Sequence, residues 1–497
     1  MTVRVRVSHI TCRFLFVAAS LWLNPAQADV IASVEVQGNT RTHTPAILRE
    51  LSFRSGDTLN TTLVAESERI LRRLLFLGRV QISTQAAGPD SVHVVVEVDD
   101  LYARALSPLF SGDAEEISAG ALAVDYNLFG RGQYLQATAF DDARAGRRIT
   151  TQYRNPRFGG SRIRLAAEMG WAEEGHTVSA FLSQPFFALS TPWAFGVSAS
   201  SHQARTRLYR GGTLTEMYED QRQAASAWIV RSYGDRLKIR PGIQLRVSDR
   251  TFASKSPFTY QPEDRRRVTP SLILTLWQPR YRTQRFIQYL GPEEDFQTGS
   301  SASIRIGLSA QAIGSDRGYR FASLRVAPRL AAGGWFLLTN FSIQSRWRQG
   351  GYESLLSNSS ARLFGRLLAW PFTPTLAARL SLSTLSRPED SGSQYLIGGD
   401  SGLRGYVPRR FDGSRRLTAN VELRPLFVRR SGWALGGAMF ADVGGAWDQE
   451  PSLHAALGSG LRLGLPRLYN TPVMRLDLAR GFNGGVWQIS FGLGQHF

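Results

Sequence analysis

Gly399-Asp400-Ser401-Gly402 holds a serine between glycines and behind an aspartate, a setting in which a hydroxyl can be a nucleophile. Leu403-Arg404-Gly405-Tyr406 follows at once, and here a guanidinium could do something different, namely clasp a carboxylate. The two chemistries make different demands. A serine hydroxyl reacts only with a base in hydrogen-bond reach and a carboxylate behind that base. After the first thirty residues the histidines are His43, His93, His176, His202, His454 and His496, and none lies in a segment with the marks of a catalytic base. Ser401 therefore reads as a polar filler in a glycine-rich turn. Arg404 needs only an enclosed acid, because its planar fork takes both oxygens of one carboxylate. Neither a phosphate-cradling glycine loop with a lysine nor a histidine pair at metal spacing is present, so no cofactor, no metal and no enzymatic step is expected.

The acids that could meet Arg404 stand on alternating segments downstream. In "WALGGAMFADVGG", Trp433, Leu435, Met439 and Val443 share one face, which turns Phe440 and Asp442 to the other. In "LTANVELR", Leu417, Ala419, Val421 and Leu423 point one way, and Thr418, Asn420, Glu422 and Arg424 the opposite way. Glu422 and Asp442 thus converge on one side of two neighbouring strands. The same alternation runs through the chain from about residue 101 onward. In "SRIRLAAEMGWA", Ile163, Leu165, Ala167, Met169 and Trp171 oppose Arg162, Arg164 and Glu168; in "GWFLLTNFSIQ", Trp335, Leu337, Phe341 and Ile343 share a face. An arginine at mid-bilayer costs about 2 to 4 kcal/mol, so charged alternate positions must face a watery lumen while the apolar ones face lipid. In the last segment, "VWQISFGLGQHF", Trp487, Ile489, Phe491, Leu493 and Phe497 are expected on the lipid face. A transmembrane barrel of antiparallel strands is the expectation, because a lipid-exposed sheet edge would leave backbone groups unpaired.

Composition agrees with export. Arg4, Arg6 and Arg13, the apolar stretch from Phe14 to Leu23, and Ala26-Gln27-Ala28 predict a secretory leader over residues 1–28. The one cysteine, Cys12, falls inside it, which removes disulfides and thiolate metal sites from consideration. A formal net charge of +19 would suggest nucleic acid in a cytoplasmic protein; for an exported one, phosphate-bearing lipid headgroups or an acidic client are the better partners. Only Lys238 and Lys255 are lysines among the 59 basic residues, so the charge is carried by arginine, which a GC-rich genome would also produce.

Residues 29–100 read as a separate α+β unit of order β-α-α-β-β. "VIASVEVQG" alternates as a strand; Thr44 and Pro45 supply an N-cap and a first-turn proline; a second helix carries Leu63, Ile70, Leu71 and Leu74 on one stripe, with Gly78 placed to end it. "VQISTQ" and "SVHVVVEV" follow as strands around a turn at 88–90, with Val92, Val94, Val96 and Val98 on one face. Either of these two strands is a candidate free edge.

Taken in order, these pieces resemble the BamA/TamA superfamily of outer-membrane assembly factors and two-partner-secretion transporters. Gly398-Gly399-Asp400 and Leu403 to Tyr406 match its L-R-G-Y or V-R-G-F loop signature, Phe440-Ala441-Asp442-Val443-Gly444 its F-x-D-x-G strand, and residues 29–100 its polypeptide-transport-associated (POTRA) domain. Leu403 also stands where trypsin-like enzymes have a second glycine. The resemblance implies a barrel of sixteen strands over residues 101–497, an inward-folded loop anchored by Arg404, Gly405 and Tyr406 against Asp442, Phe440, Gly444 and Glu422, and five strands after the loop. It implies a C-terminal strand signal and seam at Trp487, Phe491 and Phe497, the other side of the seam being the strand near 120–129. It further implies a Gram-negative cell outer membrane with the POTRA-like domain in the periplasm. The expected partners are unfolded outer-membrane or secreted protein clients, lipids including lipopolysaccharide, and periplasmic accessory proteins, with no nucleic acid. The expected function is polypeptide insertion or translocation, the alternative a selective or passive channel with a loop plug.

Overall fold

The structure, a computed structural model, describes residues 29–112, 116–291, 293–348, 350–390, 392–399, 401–465 and 473–497, with backbone alone for 110–112. The expected leader and Asp400 lie outside these residues. β1 (Val30–Gln37), α1 (Thr44–Leu48), α2 (Thr61–Arg72), β2 (Leu77–Gly88) and β3 (Ser91–Asp100) form the N-terminal unit. β3 is the central strand, parallel to β1 and antiparallel to β2. "SVHVVVEV" is therefore paired on both sides and cannot be a free edge; "VQISTQ", within β2, has β3 as its single strand neighbour among the described residues. The reason lies in the side chains: Val92, Val94, Val96 and Val98 are all buried against Ile47, Leu51, Leu71 and Phe76, so β3 runs beneath both helices. Two local expectations shift. His43 is the N-cap of α1 and Thr44 its first residue, and α2 ends at the Arg73 cap, so Gly78 falls within β2.

From Arg104 the chain builds a closed antiparallel barrel. Of its 22 strand segments, Arg329–Ala332 and Leu426–Arg429 continue the preceding strand across Pro328 and Pro425, which leaves twenty strands among the described residues. Sixteen is thus corrected to twenty. Five strands do follow the loop, at Arg415–Arg424 with Leu426–Arg429, Ala434–Trp447, His454–Gly464, Met474–Gly481 and Trp487–Leu493. The surplus precedes it: alternating segments that could have been loop hairpins are wall strands, each long enough to cross an apolar band. Before the loop, among the described residues, the hairpin Tyr281–Arg285 with Glu293–Gln297 leaves the wall, its strands pairing with each other and not with the barrel. Its Ile287 packs inside the barrel with Phe336, Phe364 and Ala377.

The seam joins Trp487–Leu493 to Arg104–Gly112, one strand earlier than the expected strand near 120–129, and the two adjoin over a shorter stretch than other full-length neighbours. Pro108 in that first strand has no N–H to give to either side. Trp487, Ile489, Phe491 and Leu493 point outward, Trp487 being 66% exposed. Phe497 does not join them. The strand ends at Leu493, Gly494 takes φ +90°, and Phe497 packs inward on the Phe336–Phe364 cluster. No helix among the described residues is long and apolar enough to cross a membrane.

The N-terminal unit sits against the barrel turns. Glu50 takes two hydrogen bonds from Arg157, at 2.9 and 2.5 Å, with both residues buried. The Leu189 N–H donates to Glu66 at 2.6 Å, and Arg72 Nε lies 3.3 Å from Asp295 on the inward hairpin.

Candidate functional site

Residues 387–414 connect the Thr375–Ser386 strand to Arg415–Arg424 and fold into the lumen, pinned at their base by the small ladder Tyr395–Ile397 with Phe411–Gly413. At the tip, Arg404 is fully buried. Its Nε and Nη2 donate to the two oxygens of Asp442 at 2.7 and 2.9 Å, and its own backbone N–H reaches Asp442 Oδ2 at 3.3 Å. Nη1 donates to Glu422 Oε1 at 2.7 Å and to Asp477 Oδ2 at 3.0 Å. The guanidinium carbon lies 3.3 Å from the centre of the Phe440 ring, a cation on a π face. Phe440, Asp442 and Glu422 are on the lumenal side because Met439, Val443 and Val421 are on the outer one.

The acids are held in turn. Asn420 Nδ2 donates to Asp442 Oδ1 at 2.8 Å and to the Gly402 carbonyl at 2.9 Å. Arg424 Nε donates to Glu422 Oε2 at 2.8 Å; Arg462 and Arg475 donate to Asp477 at 2.5 and 3.1 Å. Four arginines thus surround three fully buried carboxylates. Such a cluster is tolerable out of water only because each oxygen has a donor.

Gly405 takes φ +82°, and a Cβ there would come within 2.4 Å of the Gly481 nitrogen, so no other residue fits the approach. Its N–H donates to Gln488 Oε1 at 2.9 Å. The Tyr406 hydroxyl donates to the carbonyls of Ala455, at 3.0 Å, and Phe482. Gly444 leaves room for Ile397, whose Cδ1 would lie 2.8 Å from an added Cβ. All the residues expected on the lumenal side of the loop contact are brought together here, whereas Trp487 and Phe491 lie on the outer surface and Phe497 near the hairpin. Ser401 Oγ hydrogen-bonds the Gly398 carbonyl at 2.6 Å, the contact of a turn filler.

Asp477, Arg462 and Gln488 enter the contact without having been singled out from sequence. The signal for Asp477 was available: Met474, Leu476 and Leu478 are outward, which turns Asp477 inward.

Residues 30–100 match the family model for POTRA, described as surface antigen variable number repeat. No curated protein sequence matches the chain. Among solved structures, CdiB from Escherichia coli is similar at 10% identity and TM-score 0.50, over 94% of this chain and 77% of that one. CdiB from Acinetobacter baumannii (12%, 94% and 74%, TM-score 0.47) and BamA from Haemophilus ducreyi lacking POTRA domains 1-3 (13%, 94% and 84%, TM-score 0.43) are also similar. A POTRA unit over residues 30–100 followed by a closed antiparallel barrel is the architecture of this chain, and it is a fold shared with CdiB from Escherichia coli.

Proposed function

We propose that the chain is an outer-membrane barrel that inserts or translocates polypeptide without a chemical step. Residues 29–100 then work in the periplasm, 101–497 span the membrane, and 1–28 are removed on export. The observation that carries the reading is a POTRA sheet, clamped to the barrel by Glu50 and Arg157, whose β2 keeps one edge without a strand neighbour among the described residues. An extended client can add to such an edge through its main chain, while Glu68, which accepts the Ile82 N–H at 3.0 Å, occupies only one position along it. Arg404 and its three acids hold the lumenal loop in place. The apolar outer face, with Trp487 and Phe491 on its last strand, meets lipid and lipopolysaccharide. Unfolded outer-membrane or secreted proteins are the clients, handed over by periplasmic accessory proteins.

Depletion of the protein followed by a survey of the outer membrane tests this. A broad loss of barrels indicates an insertase; loss of one exported partner indicates a secretion transporter. Unchanged protein composition with altered solute uptake rejects the proposal in favour of a plugged channel.

A further inference from the structure

The inner wall away from the loop tip carries a second set of charges, arginines with no carboxylate partner among the described residues. Arg246, Arg305, Arg325 and Arg379 alternate with outward Leu245, Ile304 and Ile306, Leu324, and Leu380, so they face the lumen. Arg362 lies directly opposite Arg379 across the ladder, and Arg416 opposite Ser383, so both share that face. Among the described residues none of these six lies within 4 Å of a carboxylate. The strands Arg265–Trp277, Ser301–Ser309, Tyr319–Ala327, Trp335–Arg348 and Thr375–Ser386 contain no acidic residue, and Gly351–Arg366 has only Glu353, which pairs with Arg348.

The positions between the guanidiniums are hydroxyls and amides. One row across the wall reads Arg325, Ser342, Asn358, Ser383, Arg416, each paired with the next. Like charges gather instead of alternating: Arg305 stands in the field of Arg246 and Arg325, and Arg379 in that of Arg362 and Arg416. Cross-strand like-charge pairs oppose sheet formation, and the five acid-free strands bring nothing of their own to offset them; Glu422, on the strand of Arg416, is taken up by Arg404 and Arg424. An anionic occupant would.

We propose that this arginine wall binds extended acidic polypeptide, which makes carboxylate-rich segments the preferred client; the occupant's class rests on the polypeptide-handling function proposed above. An extended chain repeats its same-face side chains about every 6.6 to 6.8 Å, the repeat of lumenal positions along each wall strand. Carboxylates on that repeat meet guanidinium forks, and the intervening Ser and Asn side chains hydrogen-bond the main chain.

The test uses the purified full chain in detergent and fluorescein-labelled poly-L-glutamate, read by anisotropy, beside poly-L-lysine and dextran sulfate. Poly-L-glutamate is expected to bind with affinity that falls as salt rises, and poly-L-lysine to show none. Arg246→Gln with Arg305→Gln and Arg325→Gln should weaken binding about tenfold, as three partly screened contacts would. A control variant, Arg54→Gln with Arg147→Gln and Arg266→Gln, removes equal charge from well-exposed positions outside the lumen and should leave binding unchanged. Retention of a heat-modifiable barrel on gels verifies folding of both. Equal weakening in the control, binding of dextran sulfate but not poly-L-glutamate, or no binding by the native chain would each overturn the proposal. The depletion survey fails or succeeds independently, so loss of the transport reading and loss of the arginine wall are told apart.

Discussion

Arg404 spends four side-chain hydrogen bonds on three acids, and the asymmetry of that arrangement sets what substitution does. Arg404→Ala leaves Asp442 with Asn420 as its remaining side-chain donor, an uncompensated buried charge whose cost is about 3 to 5 kcal/mol. The expected outcome is a loop that proteases cut while the barrel stays folded, measured by limited proteolysis and gel heat-modifiability. Arg404→Lys keeps the charge but not the fork, and should fall between native and alanine. Exchanging the partners, Arg404→Asp with Asp442→Arg, should not restore protection, because the new carboxylate would lie against Glu422 and Asp477. Ser401→Ala should change nothing measurable beyond the loss of one bond to Gly398. Glu422 and Asp442 could be read from alternation because each strand declares its own faces. Asp477 obeys the same rule, yet no local pattern says that a strand two places further around the wall reaches the same guanidinium, which is a fact of three-dimensional closure.

At the level of elements, strand type was readable and strand fate was not. Alternation distinguishes inside from outside, but the hairpin Tyr281–Arg285 with Glu293–Gln297 declares no outward face and is turned inward by what surrounds it. Glu294 accepts the N–H groups of Ile287, Gln288 and Tyr289, which folds the hairpin tip around one carboxylate. Phe497 escaped for a similar reason: the alternation continues to the last residue, but the positive φ of Gly494 turns the chain off the wall. The POTRA edge was ambiguous because β2 and β3 both alternate, and only the parallel addition of β1 makes β3 central. Two predictions belong here. Gly405→Ala should expose the loop about as much as Arg404→Ala does, since the close approach to Gly481 cannot be kept; limited proteolysis compares them. Glu50→Ala strands Arg157 at the buried junction and should raise cleavage between the POTRA unit and the barrel, near residues 101–103, with the loop still protected.

A barrel of twenty strands encloses more space than side chains can fill, so whatever occupies the lumen is a property of the whole molecule. Two segments enter it here, the 387–414 loop, which follows an upward-running strand, and the 278–300 hairpin, which lies at the POTRA end through Arg72 and Asp295. They are far apart in sequence but share one residue. Arg424 donates to Glu422 beside the loop tip, at 2.8 Å, to the Ile287 carbonyl of the hairpin, at 3.4 Å, and to the Phe497 carbonyl, at 3.3 Å. A guanidinium with fixed donor directions cannot serve all three if one of them moves, so displacement of the hairpin should be felt at the loop. Arg424→Gln is therefore expected to raise amide exchange in both segments, and its effect on the loop should be less than additive with that of Arg404→Ala, because both act through Glu422. Hydrogen exchange on the purified full chain measures this directly. Faster exchange confined to the hairpin would mean that the two segments move independently, and that a client engaging the POTRA end has no route through Arg424 to the loop.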